Sequence, residues 1–275
     1  MQLLTDILPE FEVPETCRLI WHSRQAREEW EPKMNRLATV FAKAERESVG
    51  SLREAGQVWV PVPEYLEMLG WAARRGLFLK IRRWTGEPPS GFAHGYPEGQ
   101  SHAVVLIATR PDILDDEYPE RHFGYPSCCQ EWFNGVFPRY IDPMWQWAGG
   151  DGYPERTIHV LADPVCVPLL RYIGVRAVPW IPCSPSCFGT KNAGRDWLNL
   201  IEALGGRRDD LEALLSLPMT WDCYRGVALV ITPHFRVVVG SVPTALPYRV
   251  EVNSHPSVCR SSQDSPRFLQ WALSP

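Results

Sequence analysis

The sequence is short of several things, and each shortage removes a class of function. No apolar run approaches the roughly 18 residues needed to cross a bilayer. No basic cluster is present: the formal charge is −4, the pI is near 6.0, and Lys and Arg are scattered without interleaved aromatics. That removes the electrostatic footprint of a nucleic-acid binder. The first ten residues carry neither the cationic lead nor the apolar core of a secretory signal. On these grounds the chain reads as cytoplasmic, with no membrane and no nucleic-acid partner.

Catalytic signatures are missing as well. There is no G-x-x-x-x-G-K-[ST] phosphate loop and no G-x-G-x-x-G after a strand. A G-x-S-x-G elbow and an H-E-x-x-H zinc helix are also absent. A C-x3-C-x2-C triplet would mark a radical enzyme that uses S-adenosylmethionine, but Cys187 is followed by Phe188 and Gly189 with no third cysteine.

What is abundant is cysteine in pairs, tryptophan and proline. The 275 residues include 8 Cys, 12 Trp and 26 Pro. That much proline predicts many fixed turns and long ordered loops. The length suits one large domain or two small ones sharing an interface. Residues 1–110 read as an N-terminal region of helices and strands. Residues 111–275 read as the cysteine-motif, metal-binding region, integrated with the first into one domain.

Periodicity predicts a helix over 22–48, with Trp30, Met34, Leu37, Val40, Phe41 and Ala44 on its apolar face and a kink or break at Pro32. A second helix is expected over 64–75, closed by Gly76. Further helices are expected over 111–118, 128–136, 164–173, 191–204 and 209–217. Strands are expected at 58–60, 77–81, 102–108, 157–161 and 248–252. Residues 226–231 and 235–239 should form a hairpin turning at Thr232-Pro233-His234. The Gly/Pro-rich stretch 85–101 reads as a functional or mobile loop, Gly149-Gly150-Asp151-Gly152 as a hinge, and the tail from Asn253 as loose with an apolar end at Phe268, Leu269, Trp271 and Leu273. The pattern predicts an α+β (mixed α/β) fold: a central mixed sheet with flanking helices and the cysteine turns at helix N-termini.

Two stretches carry chemistry. One is Gly124-Tyr125-Pro126-Ser127-Cys128-Cys129-Gln130-Glu131-Trp132-Phe133. The other is Pro182-Cys183-Ser184-Pro185-Ser186-Cys187-Phe188-Gly189-Thr190. In a reducing compartment close cysteine pairs indicate metal or redox chemistry rather than disulfides. Both pairs follow a proline at the mouth of an expected helix, where free N–H groups and the helix dipole stabilise thiolates. Cys128, Cys129, Cys183 and Cys187 are therefore expected to share one metal or cofactor site. The lone Cys17, Cys166, Cys223 and Cys259 read as small buried apolar residues.

The spacing separating Cys183 from Cys187 is looser than the C-x2-C of zinc ribbons, and adjacent cysteines diverge, which is awkward around one zinc ion. A cluster offers several irons, so neighbouring thiols can bind different ones. The favoured cofactor is an iron–sulfur cluster, [4Fe–4S], with zinc the alternative. If one of Cys128 and Cys129 is a core residue, three thiolates leave an open iron for Lewis-acid chemistry or sulfur transfer. Glu131 is a candidate general base and His122 a candidate catalytic partner. Tyr125, Lys191 and Asn192 also lie near the turns in sequence, while His159, His234 and Cys223 are weaker candidates. His94 and His102 are too far apart to pair as ligands by local spacing.

Three blocks, Gly-Tyr-Pro-x-Cys-Cys, Pro-Cys-Ser-x-x-Cys, and Trp221 with Gly226-Val227-Ala228 and Thr232-Pro233-x-Phe235, resemble those of a group of microbial proteins. The resemblance spans roughly residues 124–239. It implies a shared cysteine site and lends no particular reaction.

Two functions follow. The first is an iron–sulfur enzyme acting on a small-molecule substrate in specialised metabolism, by sulfur transfer or lyase/dehydratase chemistry, served by an iron–sulfur assembly or redox partner. The second is a non-catalytic zinc- or cluster-binding protein with a structural or partner-binding role. Catalytic thiols without metal are a third possibility. An open coordination position within a cavity favours the first, and four closed thiolates without one favour the second.

Overall fold

The alternation of apolar residues along 227–240 builds the centre of the larger of two sheets. The computed structural model describes residues 16–85, 102–136, 157–224, 227–240 and 248–253. The expected loop at 85–101 begins at Thr85, the last residue of a strand; its residues 86–101 with His94, the Gly149–Gly152 stretch, Cys259 and the tail beyond 253 lie outside the described residues, as do the side chains of His102 and Cys223.

The strands are β1 (Thr16–Trp21), β2 (Ala55–Pro61), β3 (Phe78–Thr85), β4 (His102–Ala108), β5 (Thr157–Val160), β6 (Met219–Tyr224), β7 (Val227–Ile231), β8 (Phe235–Gly240) and β9 (Tyr248–Val252). The helices are α1 (Arg24–Glu47), α2 (Tyr65–Arg74), α3 (Pro111–Leu114), α4 (Ser127–Val136), α5 (Phe188–Ala203) and α6 (Arg208–Leu215). A six-stranded sheet runs β1-β8-β7-β6-β9-β5, and a three-stranded sheet runs β2-β4-β3. All pairings are antiparallel except β5 with β9. The fold is α+β, with a mixed sheet and flanking helices.

The hairpin forms as expected. Thr232 closes it by accepting from the Phe235 N–H at 3.0 Å and donating to the Phe235 carbonyl at 2.8 Å. Trp221, Val230, Phe235, Val237 and Val239 are completely buried. Two strands depart from expectation. The stretch at 16–21, where no strand is predicted, is edge strand β1 paired with β8. No strand is predicted at 219–224 either, yet Met219 and Trp221 alternate inward and make it β6.

Helix α1 is one continuous helix despite Pro32. Ser23 caps it by accepting from the Ala26 N–H at 3.0 Å. Pro32 removes one backbone bond, but both it and Glu28 are exposed, so the freed carbonyl faces water. Trp30, Met34, Leu37, Phe41 and Ala44 bury the opposite face against the large-sheet core.

The expected helix at 164–173 is instead two single 3-10 turns, Pro164–Cys166 and Arg171–Ile173. Pro168 explains this: it lacks an N–H and forces Val167 into an extended conformation (φ −90, ψ 107). The stretch 161–187 thus crosses the core without a sheet ladder, although Cys166, Leu169 and Leu170 are fully buried. Local bonds satisfy its backbone. Asp163 accepts from the Val165 N–H at 3.1 Å, the Asp163 N–H donates to the Pro185 carbonyl at 2.9 Å, and the Ala162 N–H donates to Asn253 Oδ1 at 3.0 Å.

Among the described residues no helix is long and apolar enough to cross a membrane.

Candidate metal centre

Pro126 starts the first half of the site. Its carbonyl accepts from the N–H groups of Cys129 at 2.9 Å and Gln130 at 3.0 Å, winding the chain into α4. Cys128 and Cys129 therefore stand in the first helical turn, where side chains lean toward the N-terminus and gather ahead of the helix. This is why two adjacent cysteines converge: their sulfurs are 4.0 Å apart. The divergence expected of neighbouring cysteines holds for a strand and not for this turn.

The second half is the entry to α5. Cys187 is the N-cap, and its sulfur accepts from the Thr190 N–H at 3.3 Å. The helix begins at Phe188, earlier than periodicity predicts, because the capping group is a thiol rather than a Ser or Asp. Cys187 Sγ lies 3.6 Å from both Cys128 Sγ and Cys129 Sγ. The sulfurs of Cys128, Cys129, Cys183 and Cys187 all lie within 4.8 Å of one another. Cys129, Cys183 and Cys187 are buried and Cys128 is exposed.

This donor set fits a metal ion. Sulfurs at about 2.3 Å from a tetrahedral ion stand about 3.8 Å apart. The separations of 3.6, 3.6 and 4.0 Å straddle that value.

Electrostatics act in the same sense. Hydrogen bonds from the Cys129 and Cys183 thiols, then from Thr190, hold the Cys187 thiol well below its usual range. Cys183 is pushed up by its bonds to Cys129 and Cys187 and by burial. At Cys129 the Cys183 contact lowers the value, but Cys187 and burial outweigh it and leave the thiol at about 12. Among these three packed sulfurs the contacts favour the thiolate at Cys187 and the thiol at Cys129 and Cys183. A cation would replace the remaining protons.

A second layer supports the sulfurs. Trp180 Nε1–H donates to Thr190 Oγ1 at 3.0 Å, and Thr190 Oγ1 lies 3.3 Å from Cys129 Sγ. Thr190 is completely buried. Gly189 lets the two turns meet: a Cβ there would lie 2.9 Å from Pro126 Cβ and 3.1 Å from Cys128 Sγ. Cys166 is buried alongside, its thiol donating to the Cys187 carbonyl at 3.8 Å. Sequence reasoning missed the roles of Thr190, Gly189 and Trp180. The legible signal was Thr190 three residues after Cys187, the spacing of a helix cap to its partner N–H.

The other candidate residues are dispersed. His122 is held by two carboxylates, with Nδ1 2.7 Å from Glu54 Oε2 and Nε2 3.3 Å from Asp116 Oδ2. Glu131 is exposed on α4. Neither belongs to the four-sulfur group. Tyr125 packs its ring 5.6 Å from that of Trp180 and so underlies the site. Lys191 is half-buried, and Asn192 accepts from Arg195 at 3.2 Å on the surface of α5. His159 is exposed, and His234 sits in the β7–β8 turn, 5.2 Å from the Trp30 ring. The adjoining cleft, lined by Val165, Arg171, Arg176, Val178, Trp180 and Pro182, has a cavity volume of 10 Å³, about one water.

Fold and site together define an α+β protein with a four-cysteine group able to bind a metal. Comparison with known proteins finds no match: no family model, no curated protein and no solved structure is similar to this chain.

Proposed function

We propose that the four thiolates hold a single tetrahedral metal ion, zinc, as a structural cross-link that pins the start of α4 to the buried stretch 161–187. The observation that carries this is the spacing: no two of the four sulfurs are farther apart than 4.8 Å. Thiolates on the four corners of a [4Fe–4S] cube stand about 6 Å apart, because each binds a different iron. The spacing thus favours one ion over a cluster. Zinc is favoured over ferrous iron on a thiolate set by its higher affinity. A water-sized cleft and three buried sulfurs suit a closed structural site better than a substrate pocket.

The test is metal and sulfide analysis of anaerobically purified protein together with its visible spectrum. One equivalent of zinc, no sulfide and no visible band are expected, with zinc lost in Cys129→Ala and Cys187→Ala. A broad brown absorption with stoichiometric sulfide would restore the iron–sulfur enzyme, with its small-molecule substrate and with Glu131 and His122 as its acid–base candidates. Red iron without sulfide would keep the four-thiolate geometry and make it an electron carrier. A folded, metal-free protein would overturn the proposal.

A further inference from the structure

The four sulfurs are not equivalent. Cys129 Sγ contacts the Thr190 hydroxyl and the backbone of Cys183, and Cys187 Sγ accepts from the Thr190 N–H. Both are buried. Cys128 is exposed, and the contacts of its sulfur are with Cys129 and Cys187. Its neighbour across the turn is Gly189, which has no side chain to cover it. Phe188, the residue before Gly189, is 75% exposed.

A thiolate that accepts N–H or O–H bonds gives part of its lone-pair density to them and is sterically enclosed. One without such donors keeps its electron density and its access. We propose that Cys128, one of the four thiolates on the ion, is a nucleophilic modification site that takes an alkyl group from soft carbon electrophiles, while the other three stay enclosed and keep the ion and the fold once it is alkylated. This rests on the zinc reading above. In the step, a sulfur lone pair of Cys128 attacks the carbon, the S–C bond forms, and the bond from carbon to its leaving group breaks. The leaving group departs with the electron pair. No oxidant or reductant is needed, and no proton moves in the step, because a thiol that ligates the ion has given up its proton on binding it. The product is a thioether at Cys128, with one less negative charge on the sulfur set. The site thereby becomes an acceptor for alkyl groups or a sensor of alkylating compounds.

The experiment treats the zinc-loaded full chain with limiting iodoacetamide and maps adducts by peptide mass spectrometry. Zinc content is measured on the same sample, and methyl iodide serves as a second probe. Within the four-cysteine group, Cys128 should be labelled at least about tenfold faster than Cys129, Cys183 or Cys187, since buried structural cysteines are inert. In Thr190→Val, where the hydroxyl contact to Cys129 is removed, that ranking should persist. Bound zinc with Cys128 spared, or with all four labelled alike, overturns this inference and leaves the structural zinc site standing. Absence of zinc overturns both.

Discussion

The two sheets solve the same problem by different means. The β2-β4-β3 sheet is self-sufficient: Val104–Ala108 are almost wholly buried, with α2 covering one face through Met68, Trp71 and Ala72 and Ile113 and Phe123 covering the other. The backbone groups of its central strand β4 are satisfied by ladders on both sides. Beside the six-stranded sheet, the stretch 161–187 is largely buried but has only turns, caps and two 3-10 pieces. A buried irregular stretch has fewer cooperative bonds to offset the entropy of ordering it. That is where the four cysteines stand. A metal cross-link there would supply in one place what ladders spread along a sheet.

Removing the metal is the most direct way to break this comparison. Binding at a structural zinc site is worth about 10–16 kcal/mol apparent. Chelation should therefore lower the melting temperature on the order of 10 °C or more. Hydrogen exchange should speed up through 161–187 and the first turns of α4 and α5, while β4 amides stay protected. Equal loss of protection in both regions would mean the small sheet leans on the metal too.

Two glycine substitutions sharpen the contrast. Gly189→Ala forces a Cβ against Pro126 and Cys128, so we expect a loss of about 1–3 kcal/mol and weaker zinc binding in a competition titration. Gly70→Ala, in α2, meets only the end of the Arg74 side chain at 3.4 Å. It should leave zinc affinity unchanged and stabilise by up to about 1 kcal/mol.

Polar contacts should rank likewise. Thr190→Val strips the buried Trp180 N–H of its acceptor and should cost about 1–3 kcal/mol in denaturant unfolding. Glu47 accepts from Trp71 Nε1 at 3.1 Å and pairs with Arg75 at 2.8 Å near the surface. Glu47→Gln should cost under about 1 kcal/mol. A larger cost for Glu47→Gln would move the weight of polar stabilisation to the small sheet.

The smallest effect concerns β1, an edge strand among the described residues. Burial raises the Cys17 thiol from 9.0 to about 12. The folded state therefore keeps a proton that the unfolded chain releases above 9.0. Its contribution to stability is complete below that pH and is lost as pH rises toward 12. Cys17→Ala should flatten the alkaline fall in melting temperature.

Much of the element order was legible beforehand because period-2 and period-3.6 patterns are local. The strand 102–108, the hairpin and the helix after Pro126 all follow from neighbours in sequence. So did the choice of Cys128, Cys129, Cys183 and Cys187, because paired cysteines behind proline have few other uses. The misreadings came where a local rule met a nonlocal one. A strand was passed over at 219–224 because Pro218 and Asp222 mask the alternation of Met219 and Trp221. A helix was expected over 164–173 because apolar spacing outweighed Pro168.

The amino-acid order by itself determined which thiols are available, that they begin helices, and that the fold mixes helices with strands. These depend on backbone chemistry within a turn or two. The distance between sulfurs, on which the choice of one ion over a cluster turns, was decided only by the packing of α4 against α5 through Gly189. So was the inequality among the four cysteines. Hydrogen bonding at Cys129 depends on Thr190, which Trp180 holds in turn, and the open side of Cys128 faces Gly189; these residues are remote in the chain and adjacent only after folding.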